Sequence, residues 1–168
     1  MASTQTISEG NGTNAATETG SRTEMNWKRV DDSTTAYTGS PINSTNNENS
    51  MTKYQMLKFG GTWNSLSALT VKIDNNAPAT GLSIVGAVVT SGTTPSTSAS
   101  GDSALSTSGL SANFTSSSFG YAAGTSSTTA SGTMYTNALR SQLQTTSSYA
   151  GGPGDIVSRT ITWTWTES

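Results

Sequence analysis

Residues 160–166 read Thr-Ile-Thr-Trp-Thr-Trp-Thr, and no other stretch of the chain restricts the fold as much. A hydroxyl residue alternates there with a bulky apolar one, the period of two that belongs to a strand with one buried face. A helix would scatter Ile161, Trp163 and Trp165 around its circumference. In the same phase, Val157, Ile161, Trp163 and Trp165 form one face, and Ser158, Thr160, Thr162, Thr164 and Thr166 form the other. This densest aromatic face in the chain is expected to make the final strand central to the fold.

The remaining text has little apolar material to add. The 168 residues include 29 Ser and 31 Thr, with 32% apolar and 11% charged residues, against about 45–50% and about 25% in ordinary globular domains. Neither a helical bundle nor a highly charged disordered tail has this composition. The expectation is all-β: an antiparallel, jelly-roll-like β-sandwich with a long N-terminal arm and long Ser/Thr-rich loops. The arm is placed at residues 1–24 and a single thin-cored domain at 25–168.

Met1 to Glu24 contain a single Ile and one Met among Ser, Thr, Asn, Gly and Glu. Ordering each residue costs about 1–2 kcal/mol of backbone entropy, which so little apolar surface cannot offset. The segment is therefore read as an assembly arm that orders on neighbouring subunits by β-addition. Ile7, Thr13, Thr17, Thr19, Trp27 and Arg29 are the candidate interface residues. The alternative is that the segment folds back on its own domain.

From Met25 to Thr90 the text is sheet. Leu69, Val71 and Ile73 alternate with Thr70 and Lys72, and Gly60-Gly61, Asp74–Pro78 and Gly81 punctuate the runs as turns. Leu82–Val89 is apolar on both faces, which suits a central strand between two layers or one covered by a neighbouring subunit. Between Ser91 and Ser131, Leu105, Leu110, Phe114, Phe119 and Tyr121 recur through hydroxyl-rich text, predicting long loops and short edge strands. Within Tyr135–Gln144, Leu139 and Leu143 lie four apart, which predicts a short helix.

The chain has no Cys and no His, which removes thiolate nucleophiles, disulfides, most zinc sites and imidazole acid–base chemistry. A formal charge of −2 with eight scattered Lys and Arg leaves no footprint for nucleic acid or an anionic membrane. No run approaches the ~18 apolar residues of a membrane span. Met1–Thr6 lacks the basic start and apolar run of a secretory signal. The expectation is synthesis in the cytoplasm, with no cofactor, nucleic-acid or membrane partner.

Ser50-Met51-Thr52-Lys53 has the Ser-x-x-Lys spacing in which a lysine activates a serine. That spacing arises by chance in a chain with four Lys and 29 Ser, and here it opens a strand rather than a helix. Asp31-Asp32 sits at a turn signal, and adjacent strand positions would point the two carboxylates apart. Asp74-Asn75-Asn76 begins like a calcium loop, but Pro78 and the lack of a closing Glu break the pattern. Gly151, Gly152 and Gly154 have no following Lys and lead into a strand, unlike a phosphate loop. Asn11, Asn43 and Asn113 open glycosylation sequons, unremarkable at this hydroxyl content. Trp27, Trp63, Trp163 and Trp165 could stack on sugars, although a chain short of Leu and Ile has a stronger use for them in its core.

The polar arm, the Cys-free and His-free β domain, the hydroxyl-rich loops and the closing Thr-Ile-Thr-Trp-Thr-Trp-Thr strand resemble small virion proteins of tailed bacteriophages. The resemblance implies a non-enzymatic subunit of the virion, made in the host cytoplasm: a capsid decoration or cement protein, or a neck, tail or fibre-base component. It implies self-association and contact with major capsid or tail and neck proteins. A carbohydrate- or receptor-binding module and a carboxylate-only glycosidase are the competing classes.

Overall fold

A computed structural model describes residues 3–11, 17–20, 26–30, 34–36, 39, 42–43, 48–73, 79–89, 117–118, 130–151 and 160–168. They contain nine strands and no α-helix: β1 (Thr4–Asn11), β2 (Thr17–Thr19), β3 (Lys53–Trp63), β4 (Leu66–Ile73), β5 (Leu82–Val89), β6 (Ser117–Ser118), β7 (Ala130–Tyr135), β8 (Ala138–Thr145) and β9 (Ile161–Glu167). A six-stranded sheet has the order β2-β1-β3-β8-β5, with β7 also paired to β3, and a three-stranded sheet has the order β6-β4-β9. Every pairing is antiparallel.

β3 organises the larger sheet because both of its edges are used. β1 lies along one edge from Thr4 opposite Gly60 to Gly10 opposite Tyr54, while β7 and then β8 share the other. Opposed residues share a face of the sheet. The pairs Ile7–Leu57, Phe59–Met134 and Ile84–Leu143 therefore collect the inward apolar side chains of five strands. These join Leu66, Leu69, Val71 and Trp163 of the smaller sheet in one buried cluster. The Phe59 ring meets Trp165 edge-on at 5.7 Å and Trp63 at 6.3 Å between centroids. The opposite face of the larger sheet is covered too where Ser8, Tyr54 and Gln142 are buried.

The segment 135–144 is strand rather than helix. Leu139 and Leu143 are four apart, but Ser141 between them is also buried, so the operative period is two. β7 and β8 run as one bent strand along β3, interrupted at Thr136-Asn137. There the Thr136 N–H donates to Leu57 O at 3.0 Å, and its hydroxyl accepts from the Leu57 N–H and donates to Asn137 O. A side-chain hydroxyl thus stands in for a ladder bond, satisfying backbone groups that the bulge would otherwise leave without a partner.

Among the described residues, neither β5, expected as a central strand between two layers or as one covered by a neighbouring subunit, nor β9, expected to be central to the fold, has a strand on both sides. β5 ends the six-stranded sheet and β9 the three-stranded one, in which β4 is central. Hydropathy reports cover above and below a strand, whereas position in the sheet depends on lateral neighbours. β5 carries Leu82 and Ile84 buried on one face and Val85 on the other. Trp163 is buried although its strand is an edge.

Residues 4–10 of the expected arm find a partner within the chain, the Tyr54–Gly60 stretch of β3, and β2 pairs with β1 in turn. The ladder supplies the backbone hydrogen bonds that composition alone could not promise. At the far corner the Asn64 and Ser65 N–H groups both donate to Ser168 O, at 3.0 and 2.9 Å, where the chain passes from β3 to β4. A bulge between Ser67 and Thr70 puts Ala68 at φ 49°, and Gly81 turns at φ 81° against the Tyr149 backbone, where a Cβ would lie 2.3 Å from the amide nitrogen. The expected loops around Leu105, Leu110, Phe114, Phe119 and Tyr121 lie outside the described residues, as do Asp31-Asp32, Asp74–Pro78 and Gly152–Gly154.

Trp163 fills the core and donates its indole N–H to Gln55 Oε1 at 2.9 Å. Trp163→Ala is expected to cost about 3–5 kcal/mol in a denaturant melt. Trp163→Phe should cost about 1–3 kcal/mol, much of it from leaving the buried Gln55 oxygen without its donor. A loss below about 1 kcal/mol for the alanine variant would contradict the burial of this ring.

Candidate functional site

The inward positions of β3 change character along the strand: Lys53 and Gln55 are polar, whereas Leu57, Phe59 and Trp63 are apolar. Ser141 of β8 lies opposite Lys53, and Glu9 of β1 lies opposite Gln55. Glu9 is thus the diagonal neighbour of Lys53 on the same face, within reach of a long side chain. Lys53 Nζ stands 3.5 Å from Glu9 Oε1, with side-chain exposures of 0% and 2%. A row of polar groups, Glu9, Lys53, Gln55 and Ser141, therefore crosses three strands of the larger sheet inside the protein.

Residues 26–30 close this row. Trp27 Nε1 donates to Ser141 Oγ at 3.1 Å, Lys53 Nζ donates to Val30 O at 3.1 Å, and the Met51 N–H donates to Lys28 O at 2.8 Å. Lys28 is itself buried and donates to Thr35 O. Arg29 pairs with Glu48 at 3.0 Å while its side chain stays 41% exposed.

This geometry decides what the row can do. Lys53 Nζ donates to the Val30 carbonyl and lies beside the Glu9 carboxylate, so its contacts are those of a buried ion pair. Ser50 is equally committed: its hydroxyl donates to Met51 O at 2.8 Å and accepts from the Leu143 N–H at 3.0 Å, and its carbonyl accepts from Gln142 Nε2. The Ser50/Lys53 spacing thus serves strand pairing at one residue and a buried ion pair at the other. Among the described residues no group of three or more Asp or Glu could hold a metal ion.

The candidate interface residues scatter. Ile7 sits opposite Leu57 and packs against the core, as does Trp27. Thr17 and Thr19 pair with Asn11 and Glu9 through the β2 backbone. Arg29 keeps an exposed guanidinium, and Thr13 lies outside the described residues. Sequence reasoning missed Glu9, Gln55 and Ser141. Their signal was phase: Glu9 shares the parity of Ile7, and Gln55 that of Leu57, but polar residues on an inward face hide the period.

A second polar contact joins the two sheets. The Glu167 carboxylate of β9 accepts from the Ser3 N–H at 2.8 Å and from Ser3 Oγ at 2.7 Å, just before β1 begins. The Ser3 hydroxyl, followed by its backbone N–H, holds the Glu167 carboxyl below the usual carboxylate range.

Two predictions follow from these contacts. Breaking the buried pair from one side, as Lys53→Met or Glu9→Leu, is expected to cost about 3–5 kcal/mol, because a charge remains buried without its partner. The double variant should recover most of that loss, and additive single costs in denaturant melts would show that the two charges are not coupled. Glu167 has a depressed folded pKa, so its contribution is present above the unfolded value and disappears as pH falls through the folded one. Glu167→Gln should therefore lose stability relative to the parent near neutral pH and draw level with it once the pH has fallen through the depressed folded pKa, as read from melting midpoints. An unchanged gap across that range would mean that the Ser3 contact is not formed.

No family model, curated protein or solved structure matches the chain.

Proposed function

We propose that the chain is a non-enzymatic structural subunit of a tailed-phage particle, a capsid decoration or cement protein built as an antiparallel, jelly-roll-like β-sandwich and attached through strand edges. The observation that supports this reading is the state of its edges. An uncovered strand edge is a template for another chain, and proteins that remain monomeric blunt such edges with charge, proline, bulges or brevity. Among the described residues, β2 and β6 are short, β2 carries Glu18, β7 is kinked at Gly132 with φ 112°, and β9 ends in Glu167, tied to Ser3. β5 has none of these devices. Its eight residues, LSIVGAVV, carry no charge and no proline, and they pair with β8 in eight successive positions without a bulge.

The exposed hydroxyls of Thr164 and Thr166 on β9 fit a surface that makes many weak polar contacts. The buried Glu9–Lys53 pair and the committed Ser50 fit a scaffold better than a reaction centre. A neck or tail subunit would use the same edge, and the site of attachment separates the two readings.

Tagged chain produced in phage-infected cells is expected to sediment with capsid shells. Ser83→Lys, which places a charge on β5, should release it to the top of the gradient with its melting midpoint unchanged. Wild-type chain that remains at the top, free of shells and tails, would end the structural-subunit reading.

A further inference from the structure

We infer that β5 is the site of an isologous contact with a second copy of this chain, an antiparallel β5–β5 pairing about a two-fold axis at Val85 that continues the six-stranded sheet into its partner's. The inference deepens the structural-subunit reading and rests on it: the subunit attaches as a β5-paired dimer, so a charge on β5 releases it from shells by breaking that pair and not by breaking a direct contact of β5 with the shell. Along an antiparallel edge every second residue turns both its N–H and its C=O outward, and an identical strand running the other way satisfies that set reciprocally. Charge favours this occupant: with no Lys, Arg, Asp or Glu between Leu82 and Val89, self-pairing juxtaposes no like charges.

Parity and volume fix the register. Leu82, Ile84 and Val88 share the core face, opposite Thr145, Leu143 and Leu139 of β8. For the apolar face to run unbroken across the axis, residues of like parity must oppose one another. Two registers near the strand centre obey this rule, one with Val85 on the axis and one with Gly86. Placing Gly86 opposite Gly86 leaves no side chains at the centre of the seam. Placing Val85 opposite Val85 sets Ile84 against Gly86 and Leu82 against Val88, so that a large residue meets a small one and the space is filled. A Cβ at Gly86 would come 2.7 Å from Arg140 O, so the small partner at this position is also required by the packing of β5 on β8.

The chain has no Cys, which makes the test direct. Self-opposed strand residues have Cα atoms about 4.5–5.5 Å apart, inside the range a disulfide spans. Under mild oxidation Val85→Cys should form a covalent dimer at least about tenfold faster than Lys58→Cys, which presents a thiol from the interior strand β3. Ser83→Cys, which would face residue 87 of the other copy, should lag in the same way. Light scattering of the unmodified chain supplies a reading that needs no substitution and should give a dimer mass. A monomer mass, or Val85→Cys oxidising no faster than Lys58→Cys, overturns the inference. If the chain still sediments with shells in that event, only the β5–β5 contact has failed; if it does not, the structural-subunit reading has failed as well.

Discussion

An ammonium and a carboxylate taken out of water together tolerate little misalignment, and the Glu9–Lys53 pair sets that condition for the larger sheet. β1 has one large apolar side chain, Ile7, and that alone is a weak determinant of register. Sliding β1 by one residue along β3 would turn Glu9 to the opposite face and leave Lys53 buried without its counter-charge. The pair therefore does for β1 what a row of Val and Ile does in a strand richer in apolar residues. Because β3 pairs with β1, β7 and β8, an error on one edge would be felt throughout the sheet.

The same economy recurs elsewhere. In a chain with only 32% apolar residues, specificity has to come from polar groups placed where they are satisfied in one arrangement. The Thr136 hydroxyl completes the ladder at a bulge, Ser50 fastens the approach to β3 onto β8, Trp27 and Trp163 each spend an indole N–H on an inward polar residue, and Ser3 grips Glu167 across the sheets. Each contact contributes modestly when made, and losing one leaves a buried group without a partner, which costs more than the contact contributes.

This economy also explains what could be read from the sequence. The strand character of Leu69–Ile73, Leu82–Val89 and Ile161–Thr166 was legible, because alternation or apolar continuity survives in the residue order. β1 was not, since Gln5 and Glu9 share its inward face with Ile7 and erase the period. The helix expected around Leu139 and Leu143 came from a spacing of four that fits either period, and Ser141 between them, inward and bonded to Trp27, was the residue that could have settled it. Lateral order escaped altogether. Trp163 announces a buried face in any position, so nothing in its strand says that β9 lies at an edge. The polar row was hidden for a related reason: Lys53 meets Glu9 through a diagonal across two strands 44 positions apart in sequence, a relation that exists only once register is set.

Internal economy bears on the outside as well. Lys28, Lys53 and Glu9 lie inside, and Arg29 and Glu48 pair with each other, so five of the 18 charged residues are engaged within the molecule. Edges in ordinary monomers are protected by such charges. Where they are spent internally, an edge of Leu, Ser, Ile, Val, Gly and Ala is left with main-chain hydrogen bonding as its strongest feature. Hydroxyl-rich strands add no long charged side chains to hold a second sheet away. Under these conditions the least demanding partner is another β-edge of like composition, and the one such edge always at hand is that of an identical chain. A thin core and the assembly role proposed above would thus have a common origin: charge used to specify the interior is charge not available to keep molecules apart.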